Sequence, residues 1–363
     1  MKGSTRKPER TVGMDVGDRR SHLCVLDAIG EVIEEGRLRT TSKAFRQRFE
    51  GSERARVVLE VGPHSPWISR RLEEWGHEVI VANPRKLRLI YENDRKCDRT
   101  DAEYLARVGR MDPELLAPVV HRGETSQADL AVVRSRSALV EARTALINHA
   151  RSTVKAMGAR LPKCSTRSFH RAVEQHVPEE LQPALLPVVD AIAELTKQIE
   201  GMEKRIEGLA EHEYPETTLL TQVPGVGTLT ALCYVLTLER PERFRTSRSV
   251  GPYLGLVPAR HDSGESSPQL RTTRAGDVLL RRLLVQSAHY ILGPFGPDSD
   301  LRRWGQRLAK RGGPSAKKRA VVAVARKLAV LLHRLWTNGE VYEPLRQHGD
   351  ESNEPEPKES VAA

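Results

Sequence analysis

Four acidic residues of this chain have the types and the spacing to bind a divalent cation: Asp15, Glu60, Asp98 and Asp101. Asp98 and Asp101 are three residues apart near the start of a predicted helix. Their carboxylates point the same way, about one turn apart, if the helix runs through both. Asp15 and Glu60 each fall in a strand-like run. Carboxylate oxygens that meet at one point bind the hard cations used in phosphoryl transfer, so the pattern predicts a site of that kind.

The predicted helix start also has a simpler interpretation. Thr100 followed by Glu103 is the pattern of a capping box, and acidic residues in a first turn interact favourably with the helix dipole. Spacing alone favours this capping interpretation. The strand context of Asp15 and Glu60 favours the metal site instead.

The composition indicates a basic protein with few aromatic residues. The 363 residues include 58 Lys and Arg against 48 Asp and Glu, for a formal charge of +10 and a pI of about 9.6. This length allows two or three domains, and the charge favours a nucleic-acid partner. Aromatic residues make up 4% of the chain, which argues against a broad base-stacking surface of the single-strand-binding kind.

The cysteines and the hydropathy point to an intracellular environment. Neither a signal peptide nor an apolar run long enough to span a bilayer is found, so we expect a soluble, cytoplasmic protein without membrane contact. The cysteines stand far apart, without metal-ligand spacing, and are expected to be reduced thiols: Cys24, Cys97, Cys164 and Cys233.

The first part of the chain predicts a mixed α/β sheet. Strand-like runs are found at residues 11–16, 21–27, 31–38, 56–60 and 77–81. Helical segments begin at Ser42 and Ser65, on either side of the fourth run. Three strands, a helix, a strand, a helix and a strand match a ribonuclease-H-like (RuvC-like) fold, in which Asp15 lies on the central strand.

The middle of the chain predicts long helices. Apolar residues recur every seven positions within residues 126–158, and spacings of three and four alternate from Leu185 to Leu209. Two arrangements would bury this seam: a helical hairpin within one chain, or a coiled coil between protomers. The seam cannot distinguish them, and we lean towards contact between protomers because oligomers are common among such seams.

Two features of the last part predict contact with a nucleic-acid backbone. The turn containing Pro224, Gly225 and Gly227 resembles that of a helix-hairpin-helix, whose exposed amides meet phosphates at the next helix start, although glycine-rich turns often bind nothing. Basic side chains follow it: Arg271, Arg274, Arg281, Arg282, Lys317, Lys318 and Arg319. The last three lie in a predicted basic helix over residues 302–327.

Ser263 lies in a polar loop over residues 259–268, and arginines follow it. An exposed serine beside guanidinium groups could attack a phosphate. Most serines in such loops have no catalytic role, so spacing alone favours a plain surface loop. The preceding His261 and Asp262 suggest a Ser-His-Asp hydrolase only weakly, because the strand–nucleophile–helix turn of such enzymes is missing from the pattern.

Eight motifs occur in a distinctive order: VGMDV (12–16), LEVGP (59–63), VANP (81–84), KCDRTDA (96–102), VPGVG (223–227), GLVP (255–258), DSG (262–264) and RAGD (274–277). In this order the chain resembles the DEDD transposases of insertion-sequence family one-hundred-and-ten, over roughly residues 10–335. Members of that family combine a RuvC-like domain, a coiled-coil connector and a serine-bearing C-terminal domain.

The resemblance implies roles for individual residues. Asp15, Glu60, Asp98 and Asp101 match the catalytic carboxylates and would bind Mg²⁺, with Mn²⁺ as an alternative. Ser263 matches the serine that forms a phosphoserine link to DNA. The family loop usually reads SSGGK, whereas residues 262–266 read DSGES, so Ser266 is the alternative nucleophile.

The resemblance also implies partners and domains. The partners are DNA (element ends and target), a structured non-coding guide RNA, and further copies of the chain in a dimer or tetramer formed through the helical connector. The predicted organisation is α/β plus all-α: a basic arm (1–10), a RuvC-like domain (11–125), a helical connector (126–213), a mainly helical C-terminal domain (214–340) and an acidic, disordered tail (341–363).

Two other functions are compatible with the sequence. A RuvC-like nuclease would cleave with metal-activated water and leave Ser263 without a role. A non-catalytic nucleic-acid-binding scaffold would use the hairpin, the seam and the basic helices, although the four carboxylates argue against it.

Overall fold

The computed structural model describes residues 9–86, 97–261, 263, 266, 268, 270–313 and 315–346. Contacts divide the chain into two units, Met1–Gly123 and Glu124–Ala363. Most of the predicted basic arm and most of the predicted acidic tail lie outside the described residues, as do Asp262 and Gly264 of the predicted serine loop.

The first unit contains a five-stranded sheet with the order β3-β2-β1-β4-β5. Its strands are β1 (Thr11–Val16), β2 (Arg20–Leu26), β3 (Val32–Arg39), β4 (Arg56–Glu60) and β5 (Glu78–Ala82). Strand β1 is central and pairs antiparallel with β2 and parallel with β4. The predicted mixed sheet with Asp15 on its central strand is therefore confirmed, and the topology is consistent with a ribonuclease-H-like domain.

Helices cover both faces of this sheet. They are α1 (Ser42–Phe49), α2 (Ser65–Glu74) and α3 (Asp98–Met111). Because side chains alternate along a strand, Met14 of β1 packs in one core with Phe45 of α1 and Ile68 of α2. Gly13 lies on the opposite face, against α3. Residues 13 and 15 of β1 therefore share the face that α3 covers.

The second unit begins with two long helices that pack as an antiparallel hairpin. They are α4 (Glu124–Ala156) and α6 (Gln182–His212), with the short α5 (Phe169–Val173) between them in the chain. Ile147 of α4 shares a core with Ile192 of α6, and Leu130 of α4 shares another core with Ile206 of α6. Four positions of the predicted seam are buried, namely Leu185, Ile192, Ile199 and Ile206. The other four are half-buried: Val188, Leu195, Met202 and Leu209. A hairpin within one chain accounts for this burial, and a coiled coil between protomers stays a prediction.

The described part of the second unit contains six further helices: α7 (Thr217–Thr221), α8 (Thr228–Leu238), α9 (Val250–Tyr253), α10 (Val278–Leu292), α11 (Asp300–Lys310) and α12 (Ala316–Asn338). Helix α8 is buried from Thr230 to its end, at the centre of the core. The prediction of one basic helix over residues 302–327 is wrong. Gly312 and Gly313 both have positive φ values, which end α11 and separate it from α12.

Across the described part of the chain, the helices lack the combination of length and hydropathy needed to cross a membrane.

Candidate functional site

Three potential cation ligands converge beside the end of the central strand. Asp15 of β1 lies opposite His22 of β2 in the antiparallel register. Asp98 is the first residue of α3. One ligand atom from each of Asp15, His22 and Asp98 lies within 4.8 Å of the other two. The carboxylate Oδ2 of Asp98 is 3.4 Å from Nδ1 of His22.

The start of α3 places both predicted acidic residues in its first turn. Cys97 is the N-cap residue, so the helix already runs through Asp98 and Asp101. The alternative prediction of a capping box beginning at Thr100 is therefore wrong. The negative charges lie where the helix dipole favours them, and the main-chain geometry of the turn is the one that the metal hypothesis requires.

Small residues allow α3 to lie directly on the sheet. A β-carbon on Gly13 would lie 2.0 Å from the carbonyl oxygen of Ala102 and 2.4 Å from the amide nitrogen of Ala106. One on Gly109 would lie 2.4 Å from a methyl carbon of Val58. Since only glycine permits backbones to approach this closely, these contacts set the height of α3 above β1 and β4. They bring the N-terminal turn of α3 over the end of β1.

Glu60 lies on the strand beside that of Asp15, and Asp101 shares the first turn of α3 with Asp98. Met14 of β1 pairs with Leu59 of the parallel strand β4, and Asp15 and Glu60 follow that pair directly. Glu60 has the same strand parity as Val58, which packs against α3, so it belongs to the same face of the sheet. Both Glu60 and Asp101 lie outside the three-residue group with mutually close ligand atoms. A cluster of all four predicted carboxylates stays a prediction.

His22 is a site residue that the motif analysis did not single out. It belongs to the second predicted strand, and residues 17–19 form the connection between β1 and β2. Folding the two strands back around Asp18 puts residue 22 opposite residue 15. The pairing register of β1 and β2 is therefore the sequence signal that points to His22. A search for acidic motifs does not find it.

The donor atoms suit a divalent metal ion. Ligands that bind Mg²⁺ at about 2.1 Å lie about 3–4 Å from one another in octahedral geometry. The observed upper limit of 4.8 Å requires only a small inward movement. The Asp98 side chain is 67% exposed and can supply that movement, whereas the His22 side chain is 14% exposed and held by the sheet.

Two cysteines beside this site differ in environment. Cys24 is buried between the sheet and α3, and burial raises the pKa of its thiol to about 11. Cys97 is exposed, and its Sγ lies 3.0 Å from Oγ1 of Thr100. That hydrogen bond lowers the pKa of the Cys97 thiol. Cys97 is consequently the more reactive of the two.

Described residues in and beside the predicted serine loop form two antiparallel bridges, Pro258 with Thr272 and Ser263 with Ser266, which together define the serine hairpin. Near its base the Ala259 amide donates to the Arg271 carbonyl at 2.8 Å. Towards its tip the amides and carbonyls of Ser263 and Ser266 exchange hydrogen bonds of 3.1 and 3.0 Å. Both serines are exposed. The two candidate nucleophiles therefore face each other as partners of one bridge.

Arg281 supports the base of this hairpin. Its guanidinium donates to the carbonyl oxygens of Leu254 and Ala275, at 3.0 and 2.6 Å. Gly276, with a φ of 73°, lies so close to Tyr253 that a β-carbon would be 2.1 Å from its carbonyl oxygen. In this conformation Arg281 holds the loop rather than presenting its charge to a nucleic acid.

The other predicted nucleic-acid contacts vary in accessibility. Arg282 pairs with Glu141 of α4. The remaining basic residues of the prediction are exposed: Arg271, Arg274, Lys317, Lys318 and Arg319. Arg271, Arg274, Lys317 and Lys318 are accessible to phosphates, whereas Arg282 would first have to exchange its carboxylate partner.

The predicted hairpin turn connects α7 to α8. Gly225 has a φ of 90°, and a β-carbon there would lie 2.8 Å from the Tyr290 ring. Pro224 precedes it and is half-buried. Gly227 is the N-cap of α8, and open space surrounds its α-carbon. A turn therefore joins two helices here, and a helix-hairpin-helix that binds a phosphate backbone stays a prediction.

Comparison with known proteins gives matches along most of the chain. Residues 12–158 match the IS110-type DEDD model described as "Transposase", and residues 217–302 match the family described as "Transposase IS116/IS110/IS902 family". The transposase for insertion sequence element IS1111A of Coxiella burnetii is 27% identical over 347 residues, covering 93% of this chain and 92% of that protein. The transposase for insertion sequence element IS1328 of Yersinia enterocolitica is 26% identical over 339 residues, covering 91% and 98%. A probable family 20 transposase of Pseudomonas aeruginosa is 26% identical over 340 residues, covering 92% and 98%.

Proposed function

The chain belongs to the IS110 family of DEDD transposases, and we propose that it cuts and rejoins DNA strands with metal-binding carboxylates and a nucleophilic serine. The observation that supports this most directly is the convergence of Asp15, His22 and Asp98 at the end of the central strand. A RuvC-like domain with such a group has the parts needed for phosphodiester chemistry.

The carboxylates would hold a divalent cation, Mg²⁺ or Mn²⁺. Asp15 and Asp98 lie in the close group, and the proposal adds Glu60 at the end of β4 and Asp101 in the first turn of α3. A cation held by these residues would supply Lewis-acid polarisation of the scissile phosphate and would stabilise charge on the attacking and leaving oxygens. The protein supplies the fixed strand positions of Asp15 and Glu60 and the helix start that carries Asp98 and Asp101.

Ser263 would supply the nucleophile. Its Oγ loses a proton and forms a bond to phosphorus, while one phosphorus–oxygen bond of the DNA breaks and the departing deoxyribose oxygen takes up a proton. The phosphoserine retains the energy of the phosphodiester, so attack by another deoxyribose hydroxyl can rejoin a strand without ATP. The exposure of Ser263 suits an attacking group, and Ser266, its exposed partner in the bridge, is the alternative.

The proposed partners are DNA at the element ends and target, a structured guide RNA and further copies of this chain. Affinity for nucleic acid would come chiefly from arginine and lysine contacts with phosphates, consistent with the net charge of +10. Exposed Arg271, Arg274 and the cluster at residues 317–319 are the first candidates.

Strand exchange between plasmids that carry the element junction and a target tests the proposal. Asp15→Ala should abolish exchange and retain nucleic-acid binding in a gel-shift assay, because binding depends on the basic residues. Ser263→Ala should abolish exchange and the covalent protein–DNA adduct that survives denaturation. Equal loss of binding and exchange in Asp15→Ala would contradict this division of roles.

A metal-dependent nuclease is the second candidate, because Asp15, His22 and Asp98 all belong to the first unit. Such an enzyme would attack the phosphate with water. Continued DNA cleavage by both Ser263→Ala and Ser266→Ala, with no covalent adduct in the unsubstituted protein, would favour the nuclease.

A further inference from the structure

We infer that His22 binds the divalent cation of this site through Nδ1, which makes the site a mixed nitrogen–oxygen centre that binds Mn²⁺ in preference to Mg²⁺. The inference rests on the metal use put forward in the proposed function. It adds a ligand that lies outside the four acidic residues.

The sheet holds the His22 side chain in place. His22 pairs with Asp15 of β1 on one side and with Arg37 of β3 on the other. Directly opposed residues of neighbouring strands project to the same face. The imidazole is therefore flanked by strands on both sides, and its side chain is only 14% exposed. A ligand held this way requires little ordering when a metal ion binds.

The distance between His22 and Asp98 suits two ligands of one ion. Their closest atoms are 3.4 Å apart. A charge-assisted hydrogen bond brings nitrogen and oxygen to about 2.7–2.9 Å, which is clearly shorter. Neighbouring ligands of an octahedral ion lie about 3 Å apart. With Asp15 also inside the same 4.8 Å group, the three donors surround a common point.

Two histidines with a structural role in this protein have hydrogen-bond partners unlike those of His22. The ring of His77 accepts from the Ala55 amide at 3.2 Å and donates to the Phe49 carbonyl at 3.0 Å. His333 likewise has the Ser247 hydroxyl and a main-chain carbonyl as partners on its two nitrogens. Among the described residues, the polar contact of the His22 ring is instead with Asp98, itself a candidate ligand.

The chemistry of imidazole determines the expected metal preference. Mg²⁺ is a hard ion that favours oxygen ligands, whereas imidazole nitrogen binds divalent transition metals well. A nitrogen among the ligands should therefore raise affinity for Mn²⁺ more than for Mg²⁺. Replacing that nitrogen by a carboxylate oxygen should remove the extra affinity for Mn²⁺ over Mg²⁺.

The test measures metal binding to the full-length, metal-free protein by calorimetry with Mn²⁺ alone and with Mg²⁺ alone. His22→Ala should weaken Mn²⁺ binding at least tenfold and Mg²⁺ binding less than threefold. His22→Asp should retain binding but lower the ratio of Mn²⁺ to Mg²⁺ affinity about tenfold. Pulsed electron paramagnetic resonance should detect a nitrogen coupled to bound Mn²⁺ in the unsubstituted protein, and that signal should vanish in both variants.

His64→Ala provides the matched control. Nε2 of His64 is also 3.4 Å from a carboxylate oxygen, that of Asp18, but this pair lies outside the group of three converging ligands. The His64→Ala variant should bind Mn²⁺ with the affinity of the unsubstituted protein. Thermal unfolding of each variant checks that the fold persists.

Two results would overturn the inference: unchanged Mn²⁺ affinity in His22→Ala, or a nitrogen signal that survives in it. Asp15→Asn separates this outcome from failure of the proposed function. If Asp15→Asn abolishes Mn²⁺ binding and His22→Ala does not affect it, the proposed carboxylate site is supported and only the assignment of His22 as a ligand is wrong. If Asp15→Asn also binds normally, both the metal site and this inference fail.

Discussion

Gly13 of β1 lies against the carbonyl of Ala102 in α3, at a distance that leaves no room for a side chain. A β-carbon on residue 13 would be 2.0 Å from that oxygen. The contact joins the strand that carries Asp15 to the helix that carries Asp98. The geometry of the candidate metal centre therefore depends on a glycine that cannot itself bind metal.

Substituting this glycine should disrupt the site from a distance. Gly13→Ala must push α3 away from the sheet, so we expect a loss of about 3 kcal/mol in the free energy of unfolding and weaker Mn²⁺ binding. Gly36→Ala in β3 is the matched control, since open space surrounds residue 36. It should change stability by less than about 0.5 kcal/mol. Denaturant unfolding and calorimetry measure both effects, and equal stability of the two variants would contradict the packing argument.

The two cysteines near the site should react at different rates. Thr100 lowers the pKa of the exposed Cys97 thiol, whereas burial raises the pKa of Cys24 to about 11. A lowered pKa gives more thiolate at neutral pH, so iodoacetamide should label Cys97 first, with a pH midpoint below that of an ordinary thiol. Mass spectrometry of timed samples measures this order.

Thr100 provides the control for that experiment. Thr100→Val removes the hydroxyl and should slow Cys97 labelling several-fold at pH 7, whereas Thr100→Ser retains the hydroxyl and should preserve the rate. If Cys24 is labelled as fast as Cys97 in the folded protein, the assignment of Cys24 as buried and Cys97 as exposed is wrong.

Arg281 should stabilise the closed conformation of the serine hairpin. Nη1 of Arg281 donates to both Leu254 and Ala275, and the shorter side chain of lysine cannot put its nitrogen at the same point, so Arg281→Lys should let the hairpin base open more often. We expect amide hydrogen exchange across residues 257–273 to accelerate about tenfold, with little change in α8. Arg282→Lys, on the next residue, should leave this exchange unchanged because Arg282 contacts Glu141 instead. Faster exchange in both variants would argue against a specific role of Arg281.

A buried arginine within the helical hairpin should be dispensable for stability. Arg143 of α4 is 8% exposed, its Nε atom has no hydrogen-bond partner within the described structure, and burial lowers the pKa of its guanidinium. Arg143→Met removes a poorly compensated charge and retains the apolar stem, so stability should stay level or rise by about 1 kcal/mol. Denaturant unfolding tests this, with Arg143→Lys expected to be the less stable of the two. A loss above about 2 kcal/mol in Arg143→Met would show that the charge is well compensated.

Local patterns in the sequence predict much of the first unit. Alternating residues and turn signals place all five strands within one residue of their observed starts, because strand parity and turn chemistry act over short distances. The same patterns put Asp15 on the central strand. The ordered motifs from residue 12 to residue 277 also suffice to identify the family.

Interactions between distant segments decided the rest. Gly312 and Gly313 are a local signal for the break between α11 and α12, but other features have no local signature. The contact of Arg281 with Leu254 and the burial of the α6 seam against α4 depend on residues distant in the sequence.

His22 shows this division most clearly. Its residue type and its strand are evident from the sequence, and hairpin register puts it opposite Asp15. Its distance of 3.4 Å from Asp98 depends in addition on how closely α3 packs on β1. Sequence patterns alone therefore determined the sheet and the acidic residues. Only tertiary packing decided which side chains bring their donor atoms together. That convergence requires contacts between β1 or β2 and α3, which are more than seventy residues apart in the sequence.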